Sequence, residues 1–354
     1  MSGPGPAGPP PTPGPIRKWW LGARPRTLPA ALVPVVVATA VAHAHHVGRV
    51  GWVAVSSGTA AHAAGVWGYG PRIDSWWCAL GALVVALAIQ VGTNYANDYS
   101  DGIRGTDDAR VGPVRLTVTG LASPSAVKRA ALASFGVAAL VGLSLAWATS
   151  WWILLVGAAC LLAGWFYTGG PRPYGYAGLG EVFVFVFFGL VATVGTFYVQ
   201  TLKLGVWQVW VAAVMVGLLA TALLLANNLR DIATDMDSGK RTLVVRVGRR
   251  AGGWCYVACV SLPLLGTVAW GVLAVTCTIR TDWPVLLFLP LVAAPLAVPP
   301  ARLALGDAEG RALLPVLATT GRLQLGFGAL LAVALWATLP ASAFVIFPPG
   351  AVVG

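Results

Sequence analysis

Nine stretches of this chain stay apolar for the ~20 residues that a helix needs to cross a hydrocarbon layer: 28–47, 75–97, 126–148, 151–167, 179–201, 207–229, 253–279, 283–305 and 322–346. That feature leaves few folds open. In lipid, backbone N–H and C=O groups find no water, so a spanning segment must be a helix or part of a closed barrel. Uninterrupted runs of this length suit helices, whereas barrel strands are shorter and alternate. The spacing therefore predicts an all-α polytopic membrane protein with about nine transmembrane helices. A soluble chain of 354 residues would often hold two domains, but a 57% hydrophobic content and a mean hydropathy of +0.77 set that aside.

The formal net charge of +11 would point to nucleic acid in a soluble protein. Here the basic residues fall in the short connections between apolar runs, where membrane topology puts them, and no nucleic-acid partner is expected. If the N-terminus lies in the cytoplasm, all but four of the 23 basic residues fall in inside segments, the exceptions being Arg49, Arg72, Lys203 and Arg280. The five cysteines all lie in apolar runs and read as buried free thiols.

Residues 1–18 are Gly/Pro-rich without the apolar core of a signal peptide and read as a disordered tail. A single transmembrane domain is expected over 19–347, then a C-terminal tail over 348–354. Trp19–Thr27 has the aromatic and arginine character of an interfacial segment, and the Gly/Ser/Ala-rich stretch 48–74 reads as a loop. His43, His45 and His46 lack carboxylate or cysteine neighbours, which favours an interfacial helix end over a metal site.

Against this apolar background two polar clusters stand out. The first is N-Y-A-N-D-Y-S-D-G-I-R-G-T-D-D (94–108), the second A-N-N-L-R-D-I-A-T-D-M-D-S-G-K-R-T-L-V-V-R-V-G (226–248). Asn97 and Asp101 stand four apart, as do Asp231 and Asp235. On a helix such pairs share one face at a Cβ spacing of about 5–6 Å, where bare carboxylates repel and a divalent cation removes the cost. The predicted topology brings both clusters to the cytoplasmic face, together with the loop Y-T-G-G-P-R-P-Y-G-Y-A-G-L-G-E (167–181), whose glycines and prolines break a helix.

Magnesium binds through a few carboxylates and keeps positions open for water and substrate phosphates, and manganese accepts the same hard oxygen donors. Arg104, Arg115, Arg172, Lys240 and Arg241 lie close in sequence to these clusters and suit the remaining charge of a diphosphate. A diphosphate handled at a membrane surface, its apolar tail among helices, is most simply a polyprenyl diphosphate. Arg246, Arg249, Arg250 and Asp237 read as solvated loop charges. Phe183, Phe185, Phe187 and Phe188 favour packing or lipid contact over shielding of a carbocation. A transporter would set its carboxylates near the bilayer midplane, whereas these lie at the ends of the runs.

At these motifs the chain resembles the UbiA superfamily of membrane prenyltransferases, most closely its 1,4-dihydroxy-2-naphthoate branch. Residues 94–117, 167–181 and 227–248 carry the resemblance, with W-L-G-A-R-P-R-T-L-P-A (20–30) agreeing, and it extends from 20 to about 346. Two positions depart from the general superfamily pattern. Gly105 stands where the last aspartate of the first motif usually falls, Asp107 coming two residues later, and Tyr167 is followed by Gly169, Gly170 and Arg172 instead of a Lys-Arg pair.

The resemblance implies a nine-helix bundle and transfer of a polyprenyl group from polyprenyl diphosphate to 1,4-dihydroxy-2-naphthoate. Demethylmenaquinone, diphosphate and carbon dioxide would result, in a bacterial cell membrane with the active site cytoplasmic. It implies that Asn97, Asp101, Asp231 and Asp235 hold Mg2+ (or Mn2+) and that Tyr167 lies near the reacting allylic carbon. Arg104, Arg115, Arg172, Lys240 and Arg241 would grip the diphosphate. Asn94 and Asp107 join the substrate-binding set, and Asp98 and Asn228 would orient the metal ligands or the acceptor. Another aromatic acceptor within the superfamily is the alternative, and no protein partner is indicated.

The charge distribution makes a prediction of its own. In a cysteine-free background, Ser238→Cys should resist an impermeant thiol reagent in intact cells and react in inverted vesicles, with Ser57→Cys behaving oppositely. Labelling of position 238 from outside would overturn the topology.

Overall fold

The computed structural model describes residues 13–56, 75–105, 114–276 and 283–338, and among these the only regular secondary structure is helix. Seven helices are long and apolar enough to cross a membrane. They are α3 (Ser75–Arg104), α4 (Pro124–Ala148), α6 (Gly180–Thr201), α7 (Trp207–Arg230), α10 (Arg249–Val275), α11 (Pro284–Leu305) and the segment Gly310–Ala337, whose long helix is α12 (Leu314–Ala337). A bent pair, α1 (Pro15–Gly22) and α2 (Pro29–Ser56), makes an eighth candidate, and α5 (Trp152–Phe166) is a shorter apolar helix. Together they match the nine apolar runs one for one. Two short helices, α8 (Ile232–Asp237) and α9 (Leu243–Val247), follow α7.

Several boundaries differ from the sequence reading. Helix α1 begins at Pro15, inside the segment read as a tail, and Pro at the first helical position fits because its missing N–H needs no partner there. The α1–α2 bend of 59° follows Arg24, whose φ of 54° is left-handed, and Pro25. Helix α2 runs on through residues 48–56, which were expected to be loop, while 57–74 lie outside the described residues. His43 is therefore helical and stacks on Trp336 with ring centroids 3.6 Å apart. Helix α3 continues to Arg104, so residues 94–104 of the first polar cluster occupy its final turns, where Asn97 and Asp101 share a face as their spacing expects. The last helix starts at Leu314 and ends at Ala337, and the rest of the run expected there is not described. Of the four described cysteines, all free, only Cys78 is fully buried.

Helix α7 is the axis of the bundle. Ala212, Ala213, Val216, Leu219 and Ala220 bury it against α2, α6, α10 and α12. A helix apolar all round belongs inside the bundle or in lipid. The outer helices take the second option, with Leu132, Leu140 and Leu155 of α4 and α5 exposed. Three prolines, Pro284, Pro290 and Pro295, lie in the stretch Pro284–Ala297 of α11, which coils as a 3-10 helix because proline cannot complete the α-helical ladder. Arg249, read as a solvated charge, instead donates to the carbonyls of Leu303, Ala304, Gly306 and Ala308, closing the end of α11.

A close backbone approach joins α6 to α7. Residues Phe185–Val191 form a π-helical turn, and a Cβ placed on Gly189 would stand 2.5 Å from the Gly217 Cα. Small residues let helices in lipid meet at van der Waals distance, where packing is the main force holding them. Gly189→Val should therefore lower the thermal midpoint of the detergent-solubilised protein by several degrees, in line with overpacking costs of about 1–3 kcal/mol. An unchanged midpoint would show that this contact does not hold α6 in place.

Candidate active site

A cavity of about 1090 Å3 opens among α3, α4, α5, α6 and α7. Its polar end is lined by Asn94, Asn97, Asp101, Arg115, Asp235 and Lys240, and its apolar depth includes Leu145, Phe183, Phe187, Val191 and Leu223. Sequence positions far apart thus converge as expected, but not all of them and not all in the expected manner.

Asp101 is the centre of the polar end. It is 2% exposed, and its Oδ1 accepts from the Tyr176 hydroxyl at 2.5 Å. The Lys240 Nζ stands 3.4 Å from the same oxygen, and the Arg115 Nη2 3.5 Å from Oδ2. Lys240 also lies 4.8 Å from the centre of the Tyr176 ring, and the Arg104 guanidinium 5.5 Å from it, so one aromatic ring serves two cations. Neither Tyr176 nor its hydroxyl was anticipated, and only its place between Gly175 and Gly178 in the 167–181 loop distinguishes it in sequence.

The loop is fixed from both sides. The Thr168 hydroxyl donates to Asn97 Oδ1 at 2.8 Å, Arg104 donates to the carbonyls of Thr168 and Gly170, and the Arg241 backbone N–H donates to the Tyr176 carbonyl at 2.9 Å. The Gly175 N–H bonds the Tyr167 carbonyl, and a Cβ on Gly175 would stand 2.6 Å from that oxygen. Tyr167 lines the cavity and meets Tyr174 edge-on at 5.5 Å, and Tyr174 stacks on Phe183 at 3.9 Å. Burial pushes the Tyr174 phenol above its usual range, so it stays protonated and donates to the Ala163 carbonyl. Of the four phenylalanines read as packing, Phe183, Phe187 and Phe188 line the cavity, and Phe185 packs near Gly217.

Other predicted residues take different positions. Asp98, 1% exposed, accepts from the backbone N–H groups of Leu116 (2.7 Å) and Thr117 (3.0 Å) and does not line the cavity. It anchors the segment that carries Arg115. Asn94 donates to the Ala23 carbonyl and the Thr27 hydroxyl, tying α3 to the α1–α2 bend. Asn228 lines the cavity and donates to Glu181 Oε1 at 2.7 Å. Arg104, Arg172 and Arg241 are exposed and are not among the residues that line the cavity; Arg104 instead holds the Thr168 and Gly170 carbonyls of the neighbouring loop. Asp107 lies outside the described residues.

The second cluster is broken twice, by a turn at its first aspartate and by the non-helical stretch 238–242 between α8 and α9. Helix α7 ends at Arg230, Asp231 adopts φ −96° and ψ 6°, and the Asp235 N–H donates to the Asp231 carbonyl at 2.8 Å. Asp231 does not line the cavity. Its carboxylate receives both Nε and Nη2 of Arg230, each at 2.7 Å, and Arg230 lines the cavity in its place. Among the described residues no three His, Cys, Asp or Glu side chains gather into a ready-made cage. The donors at the polar end, Asn97, Asp101 and Asp235, are hard oxygen groups that line one open space, which fits a magnesium ion that keeps water or phosphate oxygens in its remaining positions.

The family model for the UbiA prenyltransferase family matches residues 59–312. The chain belongs to the UbiA prenyltransferase family. A relative named 1,4-dihydroxy-2-naphthoate octaprenyltransferase, from Mycobacterium tuberculosis, is 44% identical over 326 residues, 92% of this chain and 96% of the relative. One of the same name from Escherichia coli is 33% identical over 316 residues, 85% and 89% of the two chains. Among solved structures, a UbiA homolog from Archaeoglobus fulgidus bound to DMAPP and Mg2+ aligns with a TM-score of 0.52 at 14% identity, covering 90% of this chain and 99% of that one. The apo structure of a UbiA homolog from Aeropyrum pernix aligns at 0.56 and 12% identity, over 87% and 95%. At such low identity these two establish the UbiA fold.

The position of Asp98 can be tested apart from the chemistry. Asp98→Asn leaves one amide oxygen where two carboxylate oxygens accept from Leu116 and Thr117, so thermal stability should fall by about 1–3 kcal/mol. An unchanged thermal midpoint would refute the anchoring role.

Proposed function

We propose that this protein transfers a polyprenyl group from polyprenyl diphosphate to 1,4-dihydroxy-2-naphthoate on the cytoplasmic face of a bacterial membrane. The observation that carries the reading is the nearly end-to-end likeness to naphthoate octaprenyltransferases. A cavity with a charged end and an apolar depth supports it, because a prenyl diphosphate has one charged and one apolar end.

Asn97, Asp101, Asp231 and Asp235 would hold magnesium. Bound there, the ion supplies positive charge to the diphosphate oxygens as the leaving group develops. Lys240 and Arg115, already beside Asp101, are placed to take the charge the ion leaves uncompensated. Tyr176 holds Asp101 and Lys240 in register, and Tyr167 and Tyr174 wall the passage from charged end to apolar depth. The C–O bond of the prenyl diphosphate breaks with its electron pair going to diphosphate, and the acceptor carbon bearing the carboxylate forms the new C–C bond as carbon dioxide leaves. The product of that balance is the quinol, and demethylmenaquinone is its two-electron oxidised form. Burial of the reacting centre keeps water from the allylic carbon.

The test is turnover by the purified protein with polyprenyl diphosphates of several lengths and a panel of aromatic acceptors, followed by mass spectrometry. A prenylated, decarboxylated naphthalene product is expected, and product from another acceptor alone would overturn the substrate assignment. Activity should vanish in EDTA and return with Mg2+ or Mn2+. Asp101→Asn and Asp231→Asn should each lose at least ~100-fold in rate, while Cys255→Ala stays close to the parent. Full turnover in metal-free buffer would sink the metal assignment.

A further inference from the structure

Arg230 stands out among the cavity residues. Its side chain is 1% exposed at the end of α7, yet it lines the cavity. Nε and Nη2 form a fork onto Asp231, two bonds of 2.7 Å, and that geometry satisfies one edge of the guanidinium. The other nitrogen, Nη1, is buried with no hydrogen-bond partner among the described residues. A buried charged donor without an acceptor is costly, and a structural role as counter-ion to Asp231 needs only the first edge. Arg230 thus carries an unsatisfied buried donor on a residue that lines an open space.

The charge of that space says which acceptor. Lys240, Arg115 and Arg230 line it against the carboxylates of Asp101 and Asp235, and Arg24 and Arg26 line it as well. The lining carries more positive than negative charge before any ion enters, so an anion is drawn in.

We propose that Arg230 is an anion-binding residue of this site. Its Nη1 edge takes an anionic oxygen of a bound substrate while its Nε and Nη2 edge steadies Asp231. The choice of substrates rests on the function proposed above, and two of their groups share the required chemistry: a diphosphate oxygen and the acceptor carboxylate. A single arginine at the junction of α7 and α8 thereby ties occupancy of the anion to the position of Asp231, a link that no lysine reproduces because an ammonium lacks the planar fork.

Direct binding to the full chain in detergent with magnesium tests this and needs no turnover. The probes are inorganic diphosphate, 1,4-dihydroxy-2-naphthoate and its decarboxylated analogue 1,4-dihydroxynaphthalene. Arg230→Lys keeps a cation beside Asp231, so the thermal midpoint should stay near the parent's while affinity for one anion falls ~10-fold or more. Weaker diphosphate binding assigns Nη1 to the phosphate. Weaker naphthoate binding with the analogue unchanged assigns it to the carboxylate. Parent-like binding of both anions by Arg230→Lys and by Arg230→Gln would overturn the proposal. Where Arg230→Gln does not fold, Arg230→Gln with Asp231→Asn leaves no buried lone charge, and equal anion affinity to Asp231→Asn alone has the same meaning. A parent protein that binds the anions but forms no prenylated product would instead overturn the proposed reaction and leave the role of Arg230 standing.

Discussion

A buried carboxylate inside a membrane bundle is tolerated only where partners surround it, since desolvation disfavours its charge by several kcal/mol. Asp101 meets that condition with Tyr176, Lys240 and Arg115, each from a different stretch of chain. Its requirement for partners draws the end of α3, the segment before α4, the loop before α6 and the turn after α8 to one point. The remaining polar contacts serve that convergence. Thr168 and Arg104 fix the loop that carries Tyr176, Asp98 fixes the segment that carries Arg115, and the Arg241 backbone couples Lys240's neighbourhood to the loop.

Below this polar cap the bundle obeys a different rule. Polar links between helices are few there, Tyr256 to Thr320 and Gln200 to Thr39 among them, so shape largely decides the packing, and the glycine pair Gly189 and Gly217 sets how near α6 comes to α7. The π-helical turn at Phe185–Val191 accompanies that approach and turns Phe183, Phe187 and Phe188 onto the cavity wall. A site with two chemistries end to end results: fixed charges over a slot of apolar side chains.

The sequence revealed the spans because a bilayer demands a length, and a length is visible without neighbours. It also revealed that 94–108, 167–181 and 226–248 belong together, since unpartnered charge in so apolar a chain has few explanations. It could not separate Asp98 from Asp101. Three residues, about 60° around the helix, separate Asp98, which turns toward Leu116, from Asp101, which faces the cavity, and both read as acidic residues of one motif. Arg172 and Arg241 looked equivalent to Lys240 and Arg115 for the same reason, and exposure divides them. Tyr176, Arg230 and Glu181 were missed because their meaning lies in their contacts. Tyr176 is 75 positions from Asp101 and Glu181 47 from Asn228. Arg230 sits next to Asp231 in sequence, but only the fork and the free third nitrogen give it significance.

Helix α5 has one further consequence. Its 15 residues rise about 22 Å, short of the ~30 Å of a typical hydrocarbon layer. Lipid around it must thin to meet its ends, or its ends must lie below the headgroups. Trp147, Trp151 and Trp152, all exposed and gathered at the α4–α5 turn, are the side chains that tolerate that depth, with an indole N–H for the wet side and a ring for the dry. The bundle thus presents its shortest apolar helix on the flank where α4 and α5 wall the cavity. Bilayer thickness becomes a physical variable of the enzyme, as real as the concentration of its substrates.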